Sequence, residues 1–166
     1  AATKIPKSLI AGRIDTEIQI DGILDDAPWA DAAIATDFVQ LEPDPGKAAM
    51  QKTEVKILYD DVAIYIGATM HDSTGKSVNT ELSERDQLNV ADWFGVFIDC
   101  YRDGLNGVGM IITASGVEND AKYSVFGEDF SWDAVWNCKV KVENSNWVAE
   151  FRIPYSALRF PGDPEQ

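Results

Sequence analysis

The run Asp92-Trp93-Phe94-Gly95-Val96-Phe97-Ile98-Asp99-Cys100-Tyr101, followed by Arg102-Asp103-Gly104-Leu105-Asn106-Gly107, constrains the fold more than any other stretch. Phe94, Val96, Ile98 and Cys100 fall at every second position, the spacing of one face of a strand. The Gly- and Asn-rich stretch that follows is a tight acidic turn, and 108–113 returns as a second strand, so the two form a hairpin. Residues 53–59 alternate too and place Val55, Ile57 and Tyr59 together. Asp60-Asp61 then turns the chain into 63–70, an apolar run suited to a strand buried on both faces. Strands at 117–125 and 135–142 follow, and 147–153 pairs back across 143–146 until Pro154 ends it. A short alternating stretch at 17–20 stops at Asp21-Gly22. Helical signal is confined to one turn within 24–33 and another at 155–158. Many short strands with frequent polar turns predict an all-β fold: a two-sheet antiparallel β-sandwich, jelly-roll or immunoglobulin-like, with one or two short helical turns.

At 166 residues the chain is one domain, large enough to bury a core without disulfides. The tail 161–166, with Pro161, Gly162 and Pro164, reads as the start of a linker to a further C-terminal domain, which leaves 1–160 as the module. Two loops are long for a sandwich: 41–51, with Pro43, Pro45 and Gly46, and the polar stretch 72–91. The net charge of −14 argues against nucleic acid, whose phosphates demand a basic face, and against an anionic membrane surface. No apolar run is long enough for a transmembrane helix. Residues 1–4 open without the apolar segment of a signal peptide. An extracytoplasmic protein fits this composition.

Catalytic patterns are sparse. His71, beside Asp72 at a strand end, is the one histidine, and no Gly-x-Ser-x-Gly elbow accompanies it. It reads as a solvated turn residue. No Cys/His spacing suits zinc, and the glycines of 104–109 sit in a hairpin rather than before a helix, so they are not a phosphate loop. Among 28 acidic residues no pair stands out as a glycosidase acid and nucleophile.

Binding chemistry is better represented. Asp99, Asp103 and Asn106 surround one hairpin end, and Glu118 and Asp120 follow on the neighbouring strand. Hard oxygen donors gathered on a loop are what a structural calcium needs; the competing reading is that Asp and Asn simply make the turn. Of the five tryptophans, Trp29, Trp136 and Trp147 lie in apolar phase and read as core. Trp132 shares the polar stretch 127–133 with Phe130, and this pair is the candidate ligand platform, with Trp93 as a third aromatic. Cys100 and Cys138 both fall on core-facing phases. That fits a disulfide or two buried thiols, and in an oxidising compartment the bridge is the expected state.

Four segments together resemble carbohydrate-binding module family 9. Ile20-Asp21-Gly22-Ile23-Leu24-Asp25-Asp26-Ala27-Pro28-Trp29 resembles its N-terminal signature, and Val55-Lys56-Ile57-Leu58-Tyr59-Asp60-Asp61-Val62-Ala63-Ile64-Tyr65-Ile66-Gly67 its second block. Residues 92–99 resemble its central strand and 147–158 its closing strand. A narrower resemblance, carried by Arg85-Asp86, Asn106-Gly107, Ser131-Trp132-Asp133-Ala134-Val135-Trp136 and Leu158-Arg159-Phe160, is to bacterial proteins in which such a module precedes an uncharacterised domain described as a membrane-associated hydrolase or outer-membrane β-barrel. The resemblance implies a non-catalytic, often calcium-stabilised sandwich that binds carbohydrate in a periplasmic or outer-membrane-associated protein. Its alternative is a docking domain that contacts a barrel or its own C-terminal partner without binding sugar. The sugar-binding members clamp a glycan end between two exposed tryptophans on loops. Here 72–91 holds no aromatic residue, so half of that clamp is missing.

Overall fold

A computed structural model describes residues 7–73, 77–82, 84, 91–160 and 162. Arg85, Asp86 and most of the linker stretch 161–166 lie outside the described residues. The strands are β1 (Gly12–Arg13), β2 (Ile34–Ala35), β3 (Thr53–Tyr59), β4 (Ala63–His71), β5 (Trp93–Ile98), β6 (Gly107–Thr113), β7 (Glu118–Ser124), β8 (Gly127–Asp129), β9 (Asn137–Glu143) and β10 (Asn146–Pro154). Helix α1 (Ala27–Ala30) and one 3-10 turn (Tyr155–Ala157) are the helical pieces among the described residues. Both lie where the sequence places them. No helix among the described residues is long and apolar enough to cross a membrane.

The strands form two sheets, ordered β1-β3-β4-β10-β9 with β2 beside β3, and β5-β6-β7-β8. Pairing is antiparallel except for β1 with β3, where Gly12 sits opposite Leu58 in a parallel register. Asp60 explains the sharp β3–β4 turn. One of its oxygens accepts from the Val62 and Ala63 amides at 2.8 and 2.7 Å, and the other from the Tyr65 hydroxyl at 2.9 Å. Such Asx hydrogen bonds satisfy turn amides that the ladder leaves free.

The even phase of β4 (Ile66, Ala68) packs between the sheets with Met110 and Ile112 of β6 and Ala149, Phe151 and Ile153 of β10. Trp136 stacks on Phe151 with ring centroids 5.4 Å apart. Burying one such large side chain contributes about 2 kcal/mol. The odd phase of β4 (Ala63, Tyr65) faces the other way, onto Ile14, Ile18, Leu58 and Trp29. Strand β4 is therefore covered on both faces, as its unbroken apolar run requires.

The second cluster exists because the N-terminal segment lies across the outer face of the larger sheet. Residues 17–20 were expected as a strand. They alternate in burial, with Ile18 at 3% exposure, but no ladder partner lies alongside and no strand forms. Glu150, fully buried on β10, anchors this segment. Its Oε2 accepts from the Asp21 and Gly22 amides at 2.9 and 3.0 Å, and its Oε1 from the Trp29 indole at 3.0 Å. Gly22 adopts a φ of +87° against the Val140 backbone, where a Cβ would stand 2.9 Å away. Only glycine fits that approach.

The expected Cys100–Cys138 disulfide does not form; both residues are free, buried thiols. The Cys138 Sγ donates to Glu118 Oε1 at 3.4 Å, while Cys100 lies beside the Ile98 carbonyl, and burial pushes its thiol pKa up. Sharing the core phase brings two thiols to the same interior, not within bonding geometry.

Glu150→Ala is expected to lower stability by about 3 kcal/mol, because three donors lose their acceptor. Burial raises the Glu150 pKa against the opposing pull of its N–H donors. The folded protein thus binds this proton more readily than the unfolded chain. Glu150's contribution is then greatest at acid pH and declines as pH rises from the unfolded value toward the folded one. The stability gap between wild type and variant, read from denaturant midpoints, should accordingly be wider near pH 4 than at pH 7. Thiol titration of unreduced, denatured protein should find both cysteines reactive, and a bridged pair would react with neither.

Candidate functional site

The inward phase of β7 is unusual. Glu118, Asp120 and Lys122 sit opposite Ile112, Met110 and Val108, where apolar residues would continue the core. The segment 129–136 covers them instead. Asp120, 1% exposed, accepts from the Ala134 amide at 2.5 Å and pins that segment down. Further along, the Lys122 ammonium stands 5.3 Å from the centre of the Trp132 ring, a cation–π contact. Trp132 is half-buried, with one side packed on the inter-sheet core.

Its other side faces a cleft of about 580 Å³ at one end of the sandwich. The β5–β6 turn supplies Tyr101 and Asn106, β7 supplies Lys122 and Tyr123, the covering segment supplies Asp129 and Asp133, and the C-terminal stretch supplies Ser156 and Arg159. Asp129 is held below the ordinary carboxylate range by the Ser131 hydroxyl and amide, which donate to it at 2.5 and 3.0 Å. It is an ionised acceptor at the cleft edge. The arrangement places flat aromatic surface among both signs of charge. That suits a ligand with apolar faces and many hydroxyls.

The three aromatics singled out from the sequence are separated. Trp132 lines the cleft. Phe130, 42% exposed, neighbours it in the chain without bounding it. Trp93 points from the opposite face of the four-stranded sheet. Trp29, Trp136 and Trp147 are core, as expected. Sequence reasoning missed Tyr101, Lys122, Tyr123 and Arg159. The available signal was the polar run at alternate β7 positions, which marks a phase that cannot be hydrophobic core.

The proposed calcium ligands do not assemble. Asp99 spends its oxygens on the Tyr101, Asp103 and Gly104 amides. Asp103 accepts from the Leu105 and Asn106 amides and from the Asn106 side chain, contacts that lower its pKa, the Asn106 side chain most. These are turn-making bonds. Glu118 and Asp120 lie back along β7, since it is Tyr123 that pairs with Gly107 at the turn. At about 3.3 Å per residue, five residues separate Glu118 from that end by about 17 Å. Among the described residues no group of three or more His, Cys, Asp or Glu side chains is placed to hold a metal, so these five residues do not fit calcium.

His71 is not simply solvated. Its Nε2 lies 2.8 Å from Glu54 on the neighbouring strand, and Glu54 also pairs with Lys52 at 2.8 Å. These contacts, Lys52 first, lower the Glu54 pKa.

Sequence and structure comparisons agree on the relatives. The profile of the family described as carbohydrate family 9 binding domain-like matches residues 20–166. A family 9 carbohydrate-binding module from Caldicellulosiruptor kristjanssonii, solved with cellotriose, aligns with a TM-score of 0.62 at 18% identity, covering 93% of this chain and 70% of that one. The glucose complex of a family 9 module from the same organism aligns at 0.63 and 18% identity, with 93% and 71% coverage. A Bacteroides uniformis protein aligns at 0.63 and 12% identity over 89% of this chain and 72% of that one. No curated protein matches the chain in sequence.

Addition of EDTA is expected to leave the melting temperature unchanged, because the candidate oxygen donors are divided and engaged. A fall of several degrees would reveal a metal site built from other residues.

Proposed function

Because the chain belongs to the carbohydrate family 9 binding domain-like family, we propose that it is a non-catalytic module that binds a neutral glycan in the cleft beside Trp132. The observation that carries this reading is the indole itself. Lys122 covers one part of the Trp132 ring, and the exposed remainder faces the cleft amid hydroxyl-binding groups. A pyranose ring stacks its C–H face on such a surface while Asp129, Asp133 and Arg159 accept from and donate to its hydroxyls. The neighbours solved with cellotriose and glucose support sugar as the ligand class. The module belongs, in this reading, to a larger extracytoplasmic bacterial protein, periplasmic or outer-membrane-associated, engaged in glycan binding or degradation. Its partners would be the glycan and a following domain or barrel.

A docking role without sugar is the second reading. Val125 and Phe126, at the tip of the β7–β8 hairpin, are 66% and 98% exposed and suit contact with another protein surface.

Calorimetric titration against glucose, cellotriose and xylotriose, alongside a glycan array, decides between them. Saturable binding that weakens at least tenfold in Trp132→Ala, the loss expected when a stacking aromatic is removed, supports the cleft. A folded protein that binds no sugar favours docking.

A further inference from the structure

The outward face of the four-stranded sheet carries rings that the cleft does not use. Trp93 and Phe97 on β5 and Tyr123 on β7 point away from the core, and Trp93 and Phe97 are 49% and 56% exposed. Two glycines let these rings lie against the sheet. A Cβ on Gly109 would stand 2.6 Å from the Tyr123 ring and 2.9 Å from Phe97, and one on Gly95 would stand 3.2 Å from Trp93. Phe97 and Tyr123 meet edge to face, 5.2 Å between centroids at 73°, and so form a corner. The corner opens on a recess of about 270 Å³ bounded also by Asp99, Leu105 and Asn106.

Two observations identify an occupant. First, the charges at the corner are carboxylates: Glu128 of β8 stands opposite Tyr123 and Asp99 borders the recess, in a protein whose net charge is −14. An anionic ligand is repelled there, while a neutral one with hydroxyl groups can donate to those carboxylates. Second, the recess is continuous with the site already described: Asn106, Gly107, Val108 and Tyr123 bound both it and the cleft. Gly107, with no side chain, leaves the lip between them low.

We propose that the Phe97–Tyr123 corner is a second carbohydrate contact, which takes the C–H face of a sugar ring from an extended neutral glycan held at the same time in the Trp132 cleft. This rests on the reading of the cleft as a glycan site. Trp93 lies four residues from Phe97, about 13 Å along the strand, and continues the track for a longer chain. Binding should then strengthen with chain length, because the second contact is made by a ligand already tethered by the first.

The test compares glucose with cellohexaose by calorimetry, using wild type, Phe97→Ala, Phe97→Tyr and Trp132→Ala. Wild type is expected to bind cellohexaose at least tenfold more tightly than glucose. Phe97→Ala should reduce that advantage to threefold or less with glucose affinity unchanged, which also shows the variant folded, and Phe97→Tyr should retain it. Trp132→Ala should lose both ligands. Glucose binding with no gain for cellohexaose, or a gain that survives Phe97→Ala, overturns the second contact while the cleft stands. If neither sugar binds wild type, the cleft reading and the corner fall together.

Discussion

The Glu150 carboxyl group is the contact on which the architecture depends. A carboxyl group removed from water is costly unless its lone pairs are met, and here they are met by two backbone amides and an indole from one short stretch, 21–29. That stretch would otherwise be a loop on the larger sheet. Fastened, it carries Trp29, Leu24 and Ile20 onto the sheet's outer face. Gly67 permits the fit, since a Cβ there would stand 2.6 Å from Leu24. The sheet thereby gains a hydrophobic layer on each side, and β4 and β10 become the rigid centre of the molecule.

The smaller sheet is treated differently. Its β5 and β6 strands give apolar side chains to the shared core, but β7 turns polar residues inward. The polar phase of β7 is therefore covered by the segment 129–136, which hydrogen bonds to Asp120 and packs Trp132, Ala134 and Trp136 on the core. The cleft is what that cover leaves open. It owes its walls to loops and its rigidity to the strands beneath them, a division common to binding sites on sandwiches.

Much of this was legible because period-two patterns and turn residues act locally. Thr53 to Tyr59, the β5–β6 hairpin and the β9–β10 pair could be placed from alternation and from Asp60, Gly104 or Asn144 at the turns. So could Trp29, Trp136 and Trp147 as core. What was not legible depends on who lies alongside whom. Ile18 and Ile20 alternate like a strand, yet lack a partner edge. Asp99 and Glu118 look like members of one ligand set until pairing register puts them at different ends of β7. Cys100 and Cys138 share the interior without meeting. Lys122 was read as a strand residue because nothing local announces that Trp132 will fold back beneath it. Sequence spacing reports phase, and a site needs distance.

The order of the ladders also bears on how the chain acquires this shape. Strands β5 to β8 are consecutive neighbours joined by tight turns, so their loops close at little entropic cost and the meander can form early. The centre of the larger sheet is the opposite case. β4 waits for β10, from the far end of the module, before Ala63 meets Pro154 and Gly67 meets Glu150. During synthesis the aromatic corner and one wall of the cleft can therefore be present on an unfinished molecule, while the apolar faces of β4 stand open until the last strand arrives. That interval is when the chain is most exposed to aggregation, and the charge of −14 spread over its surface keeps such half-built copies apart.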